Sequence, residues 1–148
     1  MRFLKQNKFM EIKIQLTREP IDRLTIKPLN DSTSVGALAE FSGIVRDTEN
    51  GAEIAALEYE AYSPMADRIM REILDDLDRR HPCLSARVIH RIGIIPVGET
   101  AIHVVVTARH RAEAFAMLTE FMNRLKQDVP IWKSRALSGD ELAASKKS

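Results

Sequence analysis

Cysteine is almost absent from this chain. Cys83 stands alone among 148 residues, so no disulfide can close within it, and its neighbours form no redox or metal motif. We read Cys83 as a small apolar filler in a reducing compartment. Aromatic residues are sparse, at 5%, and they do not interleave with basic ones, which disfavours a nucleic-acid surface. An excess of charge is missing too. A net charge of +1 provides no global field toward nucleic acid or acidic membrane, so any anion has to be held by a local cluster. No apolar run has the length of a signal peptide or a bilayer span, and the cytoplasm is the expected compartment. There is no glycine-rich phosphate loop, no dinucleotide fingerprint and no serine in a nucleophile elbow. His81, His90, His103 and His110 lack metal-ligand spacing, and no metal is assigned.

Hydrophobic residues make up 45% and charged residues 29% of the chain, the ordinary balance of one globular domain. We expect that domain over residues 1–137, with 1–10 as a loose lead-in. Residues 138–148, small and polar, read as a frayed tail. Residues 11–16 alternate strictly, as in a strand with one wet face. Residues 35–45 read as a second strand, whose small residues suggest a close approach to its backbone. Asn50-Gly51 is a strong hairpin signal, with residues 54–62 as the partner strand. Ser63-Pro64 reads as cap and first turn of a helix with the stripe Ala66, Ile69, Met70, Ile73, Leu74 and Leu77. Residues 84–92 form a strand and 93–99 a turn. Residues 100–108, nearly all apolar, form a central strand buried on both faces. A last helix over about 110–126 carries the stripe Phe115, Leu118, Met122 and Leu125. The order defines an α+β domain: a mostly antiparallel sheet with two long helices packed on it.

Pro130 organises the end of the chain. It has no N–H and disfavours helical geometry at Val129. Lys126 therefore lies in the last helical turn and Lys133 beyond the break. If the extended segment folds back, two amines reach one cleft with Trp132 as a wall. The ordinary alternative is two solvated lysines and a core tryptophan. A lysine serves as nucleophile or base only when neutral, and a second ammonium nearby favours that state. At the other end of this helix, Arg109-His110-Arg111 meets a helix N-terminus, where free N–H groups attract an anion. The alternative is arginines pointing to water and pairing with Glu113. Arg46, taken alone, reads as a surface arginine.

Several phrases together resemble one family. They are Gly36-Ala37 with Phe41-Ser42-Gly43-Ile44-Val45-Arg46-Asp47, Leu57-Glu58-Tyr59-Glu60-Ala61-Tyr62-Ser63-Pro64-Met65, His90-Arg91-Ile92-Gly93 and Pro96-Val97-Gly98-Glu99. His110-Arg111-Ala112-Glu113-Ala114-Phe115 follows, then Leu125-Lys126 through Pro130-Ile131-Trp132-Lys133. In this order, over about residues 11–137, they resemble the catalytic (large) subunit of molybdopterin synthase. The resemblance implies a fold of the α/β-hammerhead type and a homodimer. It also implies a small ubiquitin-like sulfur carrier, giving a heterotetramer, whose C-terminal Gly-Gly thiocarboxylate enters a pocket of the large subunit. The implied substrate is cyclic pyranopterin monophosphate, which takes up two sulfurs to become molybdopterin, with no metal or organic cofactor.

By the same resemblance, Lys126 matches the principal catalytic lysine and Lys133 the second. Arg46, His110 and Arg111 match residues that hold the pterin phosphate, with Ile44 and Val45 lining the same strand end. Ser134 and Arg135 stand where the family usually has a second basic residue and then a glutamate, which puts their substrate contacts in question. The segment around Pro28 is shorter than the family's first helix. His110 and Lys126 would lie roughly 24 Å apart along one helix, too far for one small substrate. A composite pocket, with His110 and Arg111 supplied across a dimer interface, is therefore expected. Two rivals remain: a non-catalytic α+β module binding a small anion through Arg46 and Arg111, and a Schiff-base lysine enzyme.

Overall fold

The computed structural model describes residues 9–29 and 32–147. The expected lead-in therefore falls mostly outside the described residues. Met10, at its end, is buried in the main core.

A four-stranded sheet has the order β1-β6-β8-β2, formed by β1 (Glu11–Thr17), β6 (Ser85–Arg91), β8 (Thr100–Ala108) and β2 (Ala37–Ile44). β1 runs parallel to β6, and the other pairings are antiparallel. Every residue of β8 is buried, as a nearly all-apolar run leads one to expect of a strand covered on both faces. A second sheet, β7-β5-β9, consists of β7 (Gly93–Pro96), β5 (Ala56–Ala61) and β9 (Ile131–Leu137), all antiparallel. Two 18-residue helices, α1 (Ser63–Arg80) and α2 (Arg111–Asp128), pack together and onto the first sheet. Their buried faces meet Ala86, Val88, Ile102, Val104 and Val106 in one continuous core. A smaller cluster of Val45, Leu57, Ile95 and Ala101 forms beside it. The architecture is the α+β class expected.

Several local expectations are corrected. The Asn50-Gly51 turn exists, with both residues at positive φ (51° and 80°), as a two-residue hairpin of right-handed twist demands. It joins only the short strands β3 (Thr48–Glu49) and β4 (Ala52–Glu53). β2 and β5 are not partners, since they belong to different sheets. Within the supposed turn 93–99, residues 93–96 are β7, because β5 offers them a pairing edge. Ser63 does not cap α1. The helix begins one residue earlier than expected, Tyr62 is the N-cap, and no side chain caps it. In α2 the buried stripe is Ala114, Met117, Phe121 and Leu125. Phe115 is 62% exposed, while Leu118 and Met122 are only partly buried at the core margin. Both sets have helical spacing, and the packing against α1 and the first sheet selects the phase.

The tail is not frayed. Residues Gly139–Ser145 form α3, opened by a capping box. Ser138 Oγ accepts from the Glu141 N–H at 3.2 Å, and the Ser138 N–H donates to Glu141 Oε1 at 3.0 Å. Two otherwise unpaired donors are thereby satisfied, which is how so polar a segment holds a turn of helix. The close approach expected at the small residues of β2 is real beside it: a Cβ on Gly36 would sit 2.1 Å from the backbone oxygen of Arg109.

Two phenylalanines of α2 check this packing. Phe121→Ala should cost about 3–5 kcal/mol. Phe115→Ala should change stability by no more than about 0.5 kcal/mol. Urea denaturation of each variant measures both.

Candidate functional site

The site begins where α2 stops. Val129 takes an extended conformation (φ −86°, ψ 129°), and its N–H still donates to the Leu125 carbonyl. Pro130 then prevents any continuation. The Pro130 carbonyl accepts from the Tyr62 N–H at 3.0 Å, which ties the break to the start of α1. β9 leaves at once and runs back antiparallel to β5, pairing Ile131 with Ala61, Trp132 with Glu60 and Lys133 with Tyr59.

The register then shifts between Glu58 and Tyr59. Arg135 pairs with Glu58, so Ser134 is the extra residue of a bulge in β9. In a regular strand, residues 133 and 135 share a face. The bulge separates them. Lys133 lies opposite Tyr59 and lines the cleft. Arg135 Nε donates instead to Glu58 Oε1 at 2.9 Å, and Ser134 Oγ donates to the Glu58 carbonyl at 3.2 Å.

The resulting cleft holds about 370 Å³. Lys126 and Lys133 both line it, with Trp132, Tyr59 and Phe41 as aromatic walls. Ile44, Gly43, Ile102, Met122, Leu125 and His90 contribute to the lining. Gly43 keeps it open beside β8, since a Cβ there would meet Ile102 Cγ2 at 2.8 Å. Trp132 is 47% exposed and acts as a wall rather than core.

The other expected residues lie elsewhere within this chain. Val45 is buried in the smaller core, its N–H donating to the Glu99 carbonyl at 3.1 Å. Arg46 is exposed just beyond β2. His110 is the N-cap of α2 and Arg111 its first residue, both exposed, at the opposite end of the helix from Lys126. Arg46, His110, Arg111, Ser134 and Arg135 do not line the cleft of a single copy. Among the described residues, no group of three or more His, Cys, Asp or Glu side chains could hold a metal ion, and no helix is long and apolar enough to cross a membrane.

Sequence reading missed His90 and Tyr59 as cleft residues. His90 is 3% exposed. Its Nδ1 lies 2.7 Å from the Arg91 carbonyl, which only an N–H can satisfy, so Nε2 carries the lone pair. Burial pushes the imidazole below its usual range, opposed by that hydrogen bond. The Tyr59 ring meets His90 edge to face, centroids 5.3 Å apart. Burial pushes the Tyr59 phenol up, the Lys133 ammonium offsets this in part, and Glu49 adds to it. The one available signal was alternation, which puts Tyr59 on the Leu57 face of β5. Nothing in it tells that the face meets β6. Cys83 is buried as expected, its thiol pushed up to about 12, with burial the main cause.

Fold and cleft together define an α+β protein with two lysines gathered at a proline-stopped helix end. Comparisons narrow that class. The family described as MoaE protein matches residues 16–128. A molybdopterin synthase catalytic subunit of Drosophila willistoni is 39% identical over 131 residues, which is 88% of this chain and 35% of that protein. The subunit of the same name from Bacillus subtilis is 36% identical over 121 residues, 82% of this chain and 77% of that one. The crystal structure of molybdopterin synthase from Staphylococcus aureus superposes with a TM-score of 0.73 at 32% identity, covering 88% of this chain and 92% of that one. The chain belongs to the MoaE family. It spans about a third of the Drosophila relative and about three quarters of the Bacillus one.

The buried histidine sets a pH dependence. An unfolded histidine titrates near about 6.5. The folded His90 titrates lower, so below that pH the unfolded chain binds more protons and stability falls as pH drops. His103, buried beside Ser42, shifts in the same direction. Denaturation midpoints should fall between pH 7.5 and pH 5.5, and His90→Gln should flatten that slope.

Proposed function

We propose that this chain is the catalytic half of a molybdopterin synthase. Its substrate is cyclic pyranopterin monophosphate, and its sulfur comes from the C-terminal Gly-Gly thiocarboxylate of a small ubiquitin-like carrier subunit. Two sulfurs transfer in succession, the cyclic phosphate opens, and the dithiolene of molybdopterin results. Lys126 acts at the substrate carbon or the carrier thiocarboxylate, and Lys133 aids proton transfer or holds the anion. No metal or organic cofactor is assigned to this step. A cytoplasmic setting belongs to the same reading, and a lone buried Cys83 fits it.

The observation that carries the reading is the convergence of Lys126 and Lys133 on one aromatic-walled cleft. Two cations among apolar walls suit an anionic, partly aromatic guest. The name borne by the relatives, catalytic subunit, supports a further subunit as partner.

The same reading includes a homodimer with composite pockets. His110 and Arg111 open α2 while Lys126 lies in its last turn, so one copy leaves its phosphate-holding groups far from its own lysines. A second copy would bring its His110 and Arg111 to the first copy's cleft. β2 is an edge strand with Leu38, Phe41 and Ile44 exposed. These apolar groups offer a second copy a surface.

Two experiments test the proposal. Lys126→Ala, assayed with thiocarboxylated carrier and the cyclic pterin, should abolish product, and product at the wild-type rate would reject the assignment. Arg111→Ala and Lys126→Ala, each inactive alone, should recover about a quarter of wild-type activity when randomly co-assembled, because half of the dimers then hold one intact composite site. No recovery in a verified mixed dimer would exclude sharing of the site between copies.

A further inference from the structure

Lys133 already has an anionic partner. Its Nζ donates to Glu49 Oε2 at 3.0 Å, across 84 residues of sequence. Glu49 closes β3, directly before the Asn50-Gly51 turn. The base of this hairpin is held by the Ile54 N–H, which donates to the Asp47 carbonyl at 2.9 Å. Glu49 is the better shielded partner, with its side chain 21% exposed against 45% for Lys133. Glu49 does not itself line the cleft, so it reaches the lysine from the rim. Lys133, which the carboxylate holds, lies opposite the cleft residue Tyr59, so Glu49 sits directly beside the lining.

A cation that serves an anionic guest cannot give its full field to two carboxylates or to a carboxylate and a phosphate at once. The second anion competes with the first or suffers its repulsion. We propose that Glu49 is a positioning residue and built-in counter-anion of this cleft, holding the Lys133 ammonium at the rim until an anionic group of the guest displaces it. The inference rests on the reading of the cleft as a site for an anionic guest. The guest's anion is a small oxyanion, either a phosphate group or the carboxyl terminus of a Gly-Gly tail. The hairpin is the carrier of the device. Its left-handed turn residues fix the register that presents Glu49 toward β9.

Titrations of the full chain with inorganic phosphate and with acetyl-glycylglycine, followed by NMR, test the inference. Glu49→Gln keeps the shape and removes the charge. It should tighten binding of at least one probe about two- to fivefold, the scale of a partly exposed ion pair, and the probe that gains identifies the displacing group. In a Lys133→Ala background the same substitution should bring no such gain. The inference is overturned if neither probe binds Glu49→Gln more tightly than wild type, or if the gain persists without Lys133. Glu49→Asp, which keeps the charge on a shorter arm, should stay closer to wild type than Glu49→Gln, and an equal gain there would show that charge is not the cause. Turnover of the Lys126→Ala protein with carrier and pterin decides the functional reading separately, since probe binding to Lys133 does not depend on it.

Discussion

The geometry depends on one missing hydrogen-bond donor. Proline at position 130 ends α2 at a defined residue, and the Pro130 carbonyl pins the break to the start of α1. The chain must then turn back within two residues and enter β9, which puts Lys126 and Lys133 on one cleft although they belong to different elements. A helix continued through position 133 would set the two lysines seven residues apart along one rigid rod, with no sheet between them to build a wall. The break also exposes Trp132 to the cleft rather than to the core.

The bulge at Ser134 is the second constraint. Without it, Lys133 and Arg135 would share a face and both would crowd the cleft. With it, Arg135 is drawn off to Glu58 while Lys133 stays opposite Tyr59. One inserted residue therefore decides which of two nearby cations the cleft receives. Ser134 and Arg135 fall at this bulge, bonded to Glu58 rather than standing on the cleft wall.

What was legible followed from local rules. Nearly all-apolar character marked β8 as a buried central strand, the Asn50-Gly51 pair marked a tight hairpin turn, and the proline marked the end of α2. What was not legible followed from pairing between distant segments. Alternation in residues 54–62 identified a strand but not its sheet, so β5 was assigned to β2 when its partners are β7 and β9. The phase of α2 was off by one position. Phe115 and Ala114 sit on neighbouring faces of an apolar-rich helix, and only α1 and the first sheet choose between them. His90 and Tyr59 carried no motif of a ligand or a catalytic pair, and their contact joins residues from two sheets.

The amino-acid order by itself determined the two long helices, the longer strands, the place where α2 ends and the two lysines that flank that place. Each of these rests on interactions within a few residues: backbone hydrogen bonds, one locked φ, and the periods of helix and strand. Only the tertiary structure decided which face of each element is inside, which strand neighbours which, and that Glu49 meets Lys133 while Arg135 does not reach the cleft. Those outcomes depend on register and on the burial of surfaces far apart in the chain, and a shift of one residue reverses them.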